Sequence, residues 1–489
     1  MKFNKILLVS ALMAGALTAC GDSESAVSEH TKIDALKELV ETVAAEAAAE
    51  DKKYDKMHQA IAENAERDLG GMEIVMAGWG NVTEPEVKTS TQQEMLWEYR
   101  NEMMEKHNFS YEEKKMATWD GLLELMSTST MAGDPAAQIF RIHVNFLEAA
   151  KNSGLLYDLA SLDSIDVRAD KWGKPLIDRM SDGDAVYGVS IVENPLICVY
   201  FNKRLFEEAG IDPELLYDLQ AAGEWTWEKF EEISELVTRD LDNDGLIDIH
   251  AINCNPYFFT QAAVFSNGSS YVMMDEDGQY HNNLNDPKTR AAFEWARDYW
   301  QTDNEIMPEN WDGHINLFLD GKVAMYLAGS WNAVALKPSA MADDWGMVAF
   351  PMGPSATEYP ALYSYDAYVI PATYTKEEAE NIAYAYDIFT NPAPGYDQPD
   401  DWKINLYSRF RDTRAVDETL TMLRNSKNPQ LDHSSVLAGA GLQAGEIGSE
   451  IYTEEASIEQ AIESRMSQWN IELDKINSAH EKTQVASQN

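Results

Sequence analysis

Asp240, Asp242, Asp244 and Asp248 place carboxylates at positions 1, 3, 5 and 9 of Asp-Leu-Asp-Asn-Asp-Gly-Leu-Ile-Asp, around Gly245 at position 6. That is the donor spacing of an EF-hand-type calcium loop. Position 12 is Ala251, where such a loop needs a bidentate glutamate. Two readings follow: a structural calcium site completed from elsewhere in the chain, or an acidic turn closing the helix that begins at Trp227. Neither is catalytic. Gly439-Ala440-Gly441-Leu442-Gln443-Ala444 spells GxGxxA, but no strand precedes it and no acid stands where a ribose needs one, so it reads as helix packing or loop. There is no GxSxG elbow, no HExxH and no P-loop, the nine histidines do not cluster, and no motif calls for a cofactor. With 83 acidic residues, spacing singles out no carboxylate pair for glycoside hydrolysis. Aromatic residues are the remaining signal. Trp79, Trp119, Trp225, Trp227, Tyr257, Phe258, Trp331, Tyr363 and Tyr365 sit beside glycine, proline or polar residues instead of within long apolar periods. Flat rings at loop ends suit the apolar faces of sugars, with nearby carboxylates and amides meeting the hydroxyls; the plain alternative for each ring is core packing.

The elements that would present these rings follow from periodicity. Met72 to Ala77 reads as a strand broken at Gly78-Trp79-Gly80, and a helical stretch runs from about Ser90 to His107. Strand-like pieces at Gln138 to Ile142, Tyr187 to Ile191, Leu196 to Phe201, Val323 to Leu327 and Ala367 to Ile370 then alternate with helical pieces such as Trp227 to Thr238 and Lys376 to Phe389. The alternation predicts an α/β fold, and 489 residues exceed one core, so two or more units are expected. Upstream, Ile33, Val40, Ala47, Tyr54 and Ile61 recur every seven residues with Leu36, Val43 and Met57 between them. This predicts a long amphipathic helix from Thr31 to about Asp68, ended by Gly70-Gly71, serving as a stalk, a coiled-coil partner or a helix folded back on its domain.

The chain opens with Lys2 and Lys5 before an apolar run from Ile6 to Ala19, shorter than the roughly 20 residues of a spanning helix and typical of a secretion signal. Leu17-Thr18-Ala19-Cys20 resembles a bacterial lipobox, which makes Cys20 the lipidated first residue of the mature chain and Gly21 onward a soluble tether. Cys198 and Cys254 lack metal-ligand spacing and read as buried thiols, with a disulfide between them as the alternative. The net charge of −45 would repel nucleic acid and anionic lipid surfaces and disfavours anionic ligands, leaving a neutral or cationic ligand.

Three segments resemble the extracellular solute-binding proteins of ABC importers, in the carbohydrate-binding branch that includes the maltose-binding proteins. They are YGVSIVENPLICVYFNKRLFEEAGI (187–211), EWTWEKFEEISELVTRDLDNDGLIDIHAI (224–252) and FLDGKVAMYLAGSW (318–331). The resemblance spans residues 72 to about 470 and implies two α/β lobes of the periplasmic-binding-protein type, joined by hinge crossovers and closing on ligand. It implies boundaries of 1–19 for the signal peptide and 20–71 for the tether and helix. The N-terminal lobe would be 72–191 plus 324–388, the C-terminal lobe 192–323 plus 389–480, and the tail 481–489 disordered. It places Glu193 near the hinge on sugar hydroxyls, Trp331 under a sugar ring, Tyr257 as a stacking residue with Asn255 beside it, and His143 on the other lobe. Trp79, Trp225, Tyr365 and Asp366 complete the expected ligand-binding set. Val144-Asn145 stand where the maltose-binding members carry an aspartate and an arginine, so maltose itself is not the implied ligand. The implied activity is non-catalytic binding of a neutral sugar or oligosaccharide and its delivery to the transmembrane subunits of an ABC permease, at the outer side of the membrane that Cys20 anchors. A secreted glycoside-active enzyme, or the same fold with a non-sugar solute, are the alternatives.

Overall fold

In β1 (Met72–Gly78) side chains alternate between two apolar clusters, Ile74 and Met76 in one and Val75 and Ala77 in the other, as a period of two requires of a strand covered on both faces. The computed structural model describes residues 26–191, 194–253, 255–308, 310, 313–364, 366–427 and 430–487. The signal run, Cys20, Glu193, Cys254 and Tyr365 lie outside the described residues. β1 pairs in parallel with β2 (Phe109–Lys115) and β3 (Ile139–His143). The Asp366–Val369 strand closes this first sheet antiparallel to β3, with Asp366 opposite His143. Tyr187 to Ile191, expected as a strand, makes only an isolated bridge from Val189 to Tyr368.

The second sheet is built on β4 (Cys198–Asn202), whose residues are all buried. β5 (His250–Asn253) pairs in parallel with β6 (Val323–Ala328), and β6 and β7 (Trp345–Ala349) flank β4 antiparallel. Cys198 is a free, buried thiol inside it, pushed up to about 12 by burial, and Cys254, its partner in the expected alternative of a disulfide, lies outside the described residues.

Between the sheets lies a three-stranded hinge. Asn194–Pro195 pairs antiparallel with Leu362–Ser364, which pairs in parallel with Gln430–Leu431. The chain therefore crosses later than expected. Residues 324–361 stay in the second lobe, because the wholly apolar run of β6 is buried on both faces of that sheet. Residues 389 to about 408 stay on the first lobe: Phe389 packs edge-on to Trp97 with ring centroids 6.1 Å apart, and Gln92 Nε2 donates to the Asp401 carbonyl at 3.0 Å. Arg411 has already reached the second lobe, donating to the carbonyls of Met341 and Asp343.

α1 (Ala26–Glu63) ends five residues before the expected Asp68, because Lys106 of α2 (Thr91–His107) takes the carbonyl of Asn64 at 2.6 Å and so satisfies the chain past the last turn. Met57 is fully buried, Tyr54 and Ile61 pack beside it, and Lys53 Nζ sits 3.7 Å over the Tyr396 ring. From about residue 50 onward the helix thus packs back on the first lobe. At the other end the Ile458–Ser487 helix extends into the segment 481–489 expected to be disordered, the last two residues of which lie outside the described residues. Packed Trp469 and Leu473 nucleate it, and helical propagation costs little once nucleated.

Candidate functional site

Both parallel edges end at the space between the lobes, the place where open α/β sheets bind ligands. On the first lobe, β1 stops at Gly78 because Glu113 lies against it: a Cβ there would come within 2.7 Å of Glu113 Oε1. Trp79 follows at once. Its ring carries the Arg141 guanidinium 4.0 Å from the centroid. Arg141 donates through Nε and Nη2 to Asp366 Oδ2 at 3.0 and 2.7 Å, and its Nη1 stands 3.6 Å from Glu113 Oε1. One partly buried cation is thus held by two carboxylates and is not left unpaired for an anion. Burial raises the Glu113 carboxyl above its usual range, against the pull of Arg141. Burial lowers the His143 imidazole, against the pull of Asp366, so His143 is neutral at pH 7; its Nδ1 accepts the Asn145 N–H at 3.3 Å, which leaves Nε2–H as a donor. The ring of His143 lies 6.2 Å from Trp79 and 5.0 Å from Trp119, which stacks on Phe146 at 5.6 Å. Trp119 is 46% exposed.

On the second lobe, β6 ends at Gly329, and the Trp331 indole lies flat on it: a Cβ at Gly329 would fall 2.3 Å from the ring. Trp331 is 44% exposed. Asn255 caps the Pro256–Ser266 helix, its Oδ1 accepting the Tyr257 N–H at 3.0 Å, so the positive end of that helix faces the same space. Asn255, Phe258, His314, Tyr326, Trp331 and Asn332, with Leu196 from the hinge, line a cavity of about 250 Å³. Burial lowers the His314 imidazole as well.

Of the residues expected to meet ligand, Trp79, His143 and Asp366 stand together on the first wall, and Asn255 and Trp331 on the second. Trp225 does not join them. It is fully buried, with its indole N–H donating to the Ala349 carbonyl at 2.8 Å, and it is a core residue because β7 passes directly over it. Trp227 is likewise internal, stacked on Trp295 at 4.2 Å. Tyr257 does not line the cavity. Its ring occupies the space that a Cβ on Gly445 would need, and burial pushes its hydroxyl up to about 12. Trp119, Phe258, His314, Tyr326 and Asn332, with Leu196, are the additions. Trp119 and Phe258 were legible as loop aromatics, whereas nothing in the sequence marked the others as site residues.

Ligand atoms of Asp240, Asp242 and Asp244 lie within 4.8 Å of one another, while Asp248 turns its Oδ2 to the Leu241 N–H at 2.8 Å and stands outside that group. Asp240 also accepts the Gly245 N–H at 2.9 Å, and Asp244 the Leu246 N–H at 2.8 Å, so the loop closes on its own amides.

A sequence profile for the family described as bacterial extracellular solute-binding protein matches residues 98–392. No curated protein matches the chain. Among solved structures, the sugar-binding protein MalE of Xanthomonas citri is 15% identical, covering 84% of this chain and 99% of its own, with a TM-score of 0.59. The ABC substrate-binding protein Lmo0181 of Listeria monocytogenes, solved with cycloalternan, is 16% identical over 83% of this chain and 98% of its own, with a TM-score of 0.57. UgpB of Mycobacterium tuberculosis, solved with glycerophosphocholine, is 15% identical over 82% of this chain and 99% of its own, with a TM-score of 0.59. At these identities the likeness is one of fold.

Proposed function

Because the chain belongs to the bacterial extracellular solute-binding proteins, we propose that it binds a neutral sugar or oligosaccharide between its lobes and hands it, unaltered, to the permease of an ABC importer. The observation that carries this reading is the pair of half-exposed tryptophans, Trp119 and Trp331, one on each wall. Each presents a flat apolar face beside groups that give and accept hydrogen bonds: His143 and Asp366 on one side, Asn255 and Asn332 on the other. In a cleft closed on ligand, a hydroxyl left without a partner costs about 1 to 3 kcal/mol, and that penalty supplies the selectivity. A binder needs no activated nucleophile, only a ligand that bridges two walls and so shifts an open-to-closed equilibrium.

The carboxylates argue against hydrolysis. Glycoside cleavage needs one acid and one base or nucleophile, each free to act on the bond, whereas Glu113 and Asp366 both lean on Arg141. A second solute class has one observation in its favour. Rings backed by a carboxylate also suit a quaternary ammonium, and a structural neighbour was solved with glycerophosphocholine. Its phosphate would find Arg141 already engaged. We further propose that Cys20 carries the lipid anchor that keeps the receptor beside its permease.

A thermal-shift screen against mono- and oligosaccharides, choline and glycerophosphocholine, with and without chelator, tests the reading, paired with a reducing-end assay on each hit. A saccharide that raises Tm with no new reducing ends supports it. Released reducing ends, or hits confined to choline compounds, overturn it.

A further inference from the structure

The loop that carries Trp79 does not by itself settle the direction of the indole. Gly78 and Gly80 flank the residue, and a side chain on Gly80 would meet only open space. Elsewhere in the molecule tryptophan rings are pinned through nitrogen: Trp172, Trp225, Trp227 and Trp345 each donate the indole N–H to a protein oxygen at 2.8 to 3.0 Å. The indole N–H of Trp79 makes no hydrogen bond to the described residues. Against its ring stand the Arg141 guanidinium, 4.0 Å from the centroid, and the edge of His143 at 6.2 Å.

Arg141 is itself held on two sides. Nε and Nη2 donate to Asp366 Oδ2 at 3.0 and 2.7 Å, and Nη1 stands 3.6 Å from Glu113 Oε1. Glu113 also backs Gly78, the residue before Trp79. All four strands of the first sheet thus feed one assembly: the ring follows β1, Glu113 lies in β2, Arg141 in β3 and Asp366 in the closing strand. A planar guanidinium fixed along its edges offers the ring a face in one orientation, which a flexible ammonium would not do. We propose that Arg141 is a positioning residue: pinned by Asp366 and Glu113, it holds one face of the Trp79 indole, so that the other face and the free N–H are presented to a sugar. The proposal rests on the reading that the cleft binds a saccharide. Without the guanidinium the ring spends only part of its time in the presented orientation, and apparent affinity falls by that fraction.

The test uses the full chain as wild type, Arg141→Lys, Trp79→Ala and the two combined, with maltotriose, mannotriose and cellotriose as probes. Arg141→Lys keeps a cation between the carboxylates and removes the planar fork. It is expected to weaken Kd for any bound probe about fivefold by calorimetry, yet to change Kd less than twofold where Trp79 is alanine. In the unliganded proteins it is expected to alter the tryptophan band of the near-ultraviolet circular dichroism, and to leave that band unchanged where Trp79 is alanine. A Kd loss of equal size in both backgrounds overturns the proposal, because Arg141 then acts without the ring. A Kd within twofold and an unaltered band with Trp79 intact overturn it as well. If wild type binds none of the probes, it is the saccharide reading that fails, and the dichroism cycle decides the role of Arg141; it decides likewise if Trp79→Ala abolishes binding. Should Arg141→Lys not melt cooperatively, Arg141→Gln combined with Asp366→Asn takes its place, measured against Asp366→Asn alone.

Discussion

Replacing Trp331 by alanine separates a ligand platform from a packing residue, because the ring divides almost evenly between protein and solvent. With 44% of its surface exposed, roughly 100 Å² of a ring that can bury about 240 Å² remains to be covered by a ligand. At about 25 cal/mol per Å² this is about 2.6 kcal/mol of binding, a loss of about 80-fold in Kd on truncation. The other part of the ring rests on Gly329, which has no side chain to collapse into the space. Its burial contributes at most about 3 kcal/mol to the unliganded fold, and about half of that once compactness of the unfolded chain is counted. For a lobe of about 200 residues the unliganded Tm then falls by about 3 to 6 °C. Calorimetry with the tightest saccharide and a melt of the unliganded variant read the two numbers independently. A Kd within threefold of wild type together with a Tm drop beyond 10 °C refutes the reasoning and makes Trp331 a core residue. Trp119→Ala on the opposite wall is held to the same standard, since a cleft that works by closing needs both faces.

Trp225→Ala is expected to do the reverse, costing about 3 to 5 kcal/mol of stability in a melt while the folded fraction keeps wild-type Kd, because that ring is fully buried and bonded to Ala349. Met57→Asp places an unpaired charge under the N-terminal helix, where the native side chain is fully buried; urea titration should show a loss of about 3 kcal/mol or more, with ligand affinity unchanged. Glu305, whose Oε1 accepts the Tyr452 hydroxyl at 2.7 Å, is raised by burial to about 7. A carboxyl raised in the folded state stabilises below its unfolded value near 4.5 and progressively loses that stability as pH climbs to about 7. Glu305→Gln should therefore gain on wild type by up to about 3 kcal/mol between pH 4.5 and 7, and melts across that range that run parallel for the two proteins would contradict the assignment.

Local order was readable wherever it is set by neighbours in sequence. Ser90 accepting the Gln93 N–H and Thr375 paired with Glu378 in a capping box start helices at the residues their types suggest, and Thr226 does the same before Trp227. The heptad seam of the long helix was visible, and its packed half lies where Tyr54, Met57 and Ile61 fall. What sequence could not supply were choices made by distant chain. Trp225 and Trp331 stand in similar polar surroundings, yet one is sealed by β7 and the other lies on a bare glycine at the end of β6. The lobe boundaries slipped for a related reason. A short apolar strand reads alike in either lobe, and only pairing with Cys198–Asn202 assigns Val323–Ala328 to the second.

The charge of the cleft leaves the cationic residue at its floor poorly placed to receive an anion. Arg141 is the side chain an acidic solute would seek, and it sits between Asp366 and Glu113 with the Trp79 ring across its face. Pulling it away to meet an anion would leave two carboxylates partly buried and facing each other, at a cost of several kcal/mol for each broken pair. The chain as a whole, at −45, adds a repulsive field for any anion approaching from solution. Val144 and Asn145, in the turn that follows β3, bring no charge to offset either effect. The first wall therefore offers a neutral imidazole at His143, the edge of the Asp366 carboxylate paired with Arg141, and the faces of Trp79 and Trp119. Such a surface discriminates by where hydroxyls fall relative to ring faces, so epimers of one sugar should separate in affinity more sharply than sugars that differ only in chain length.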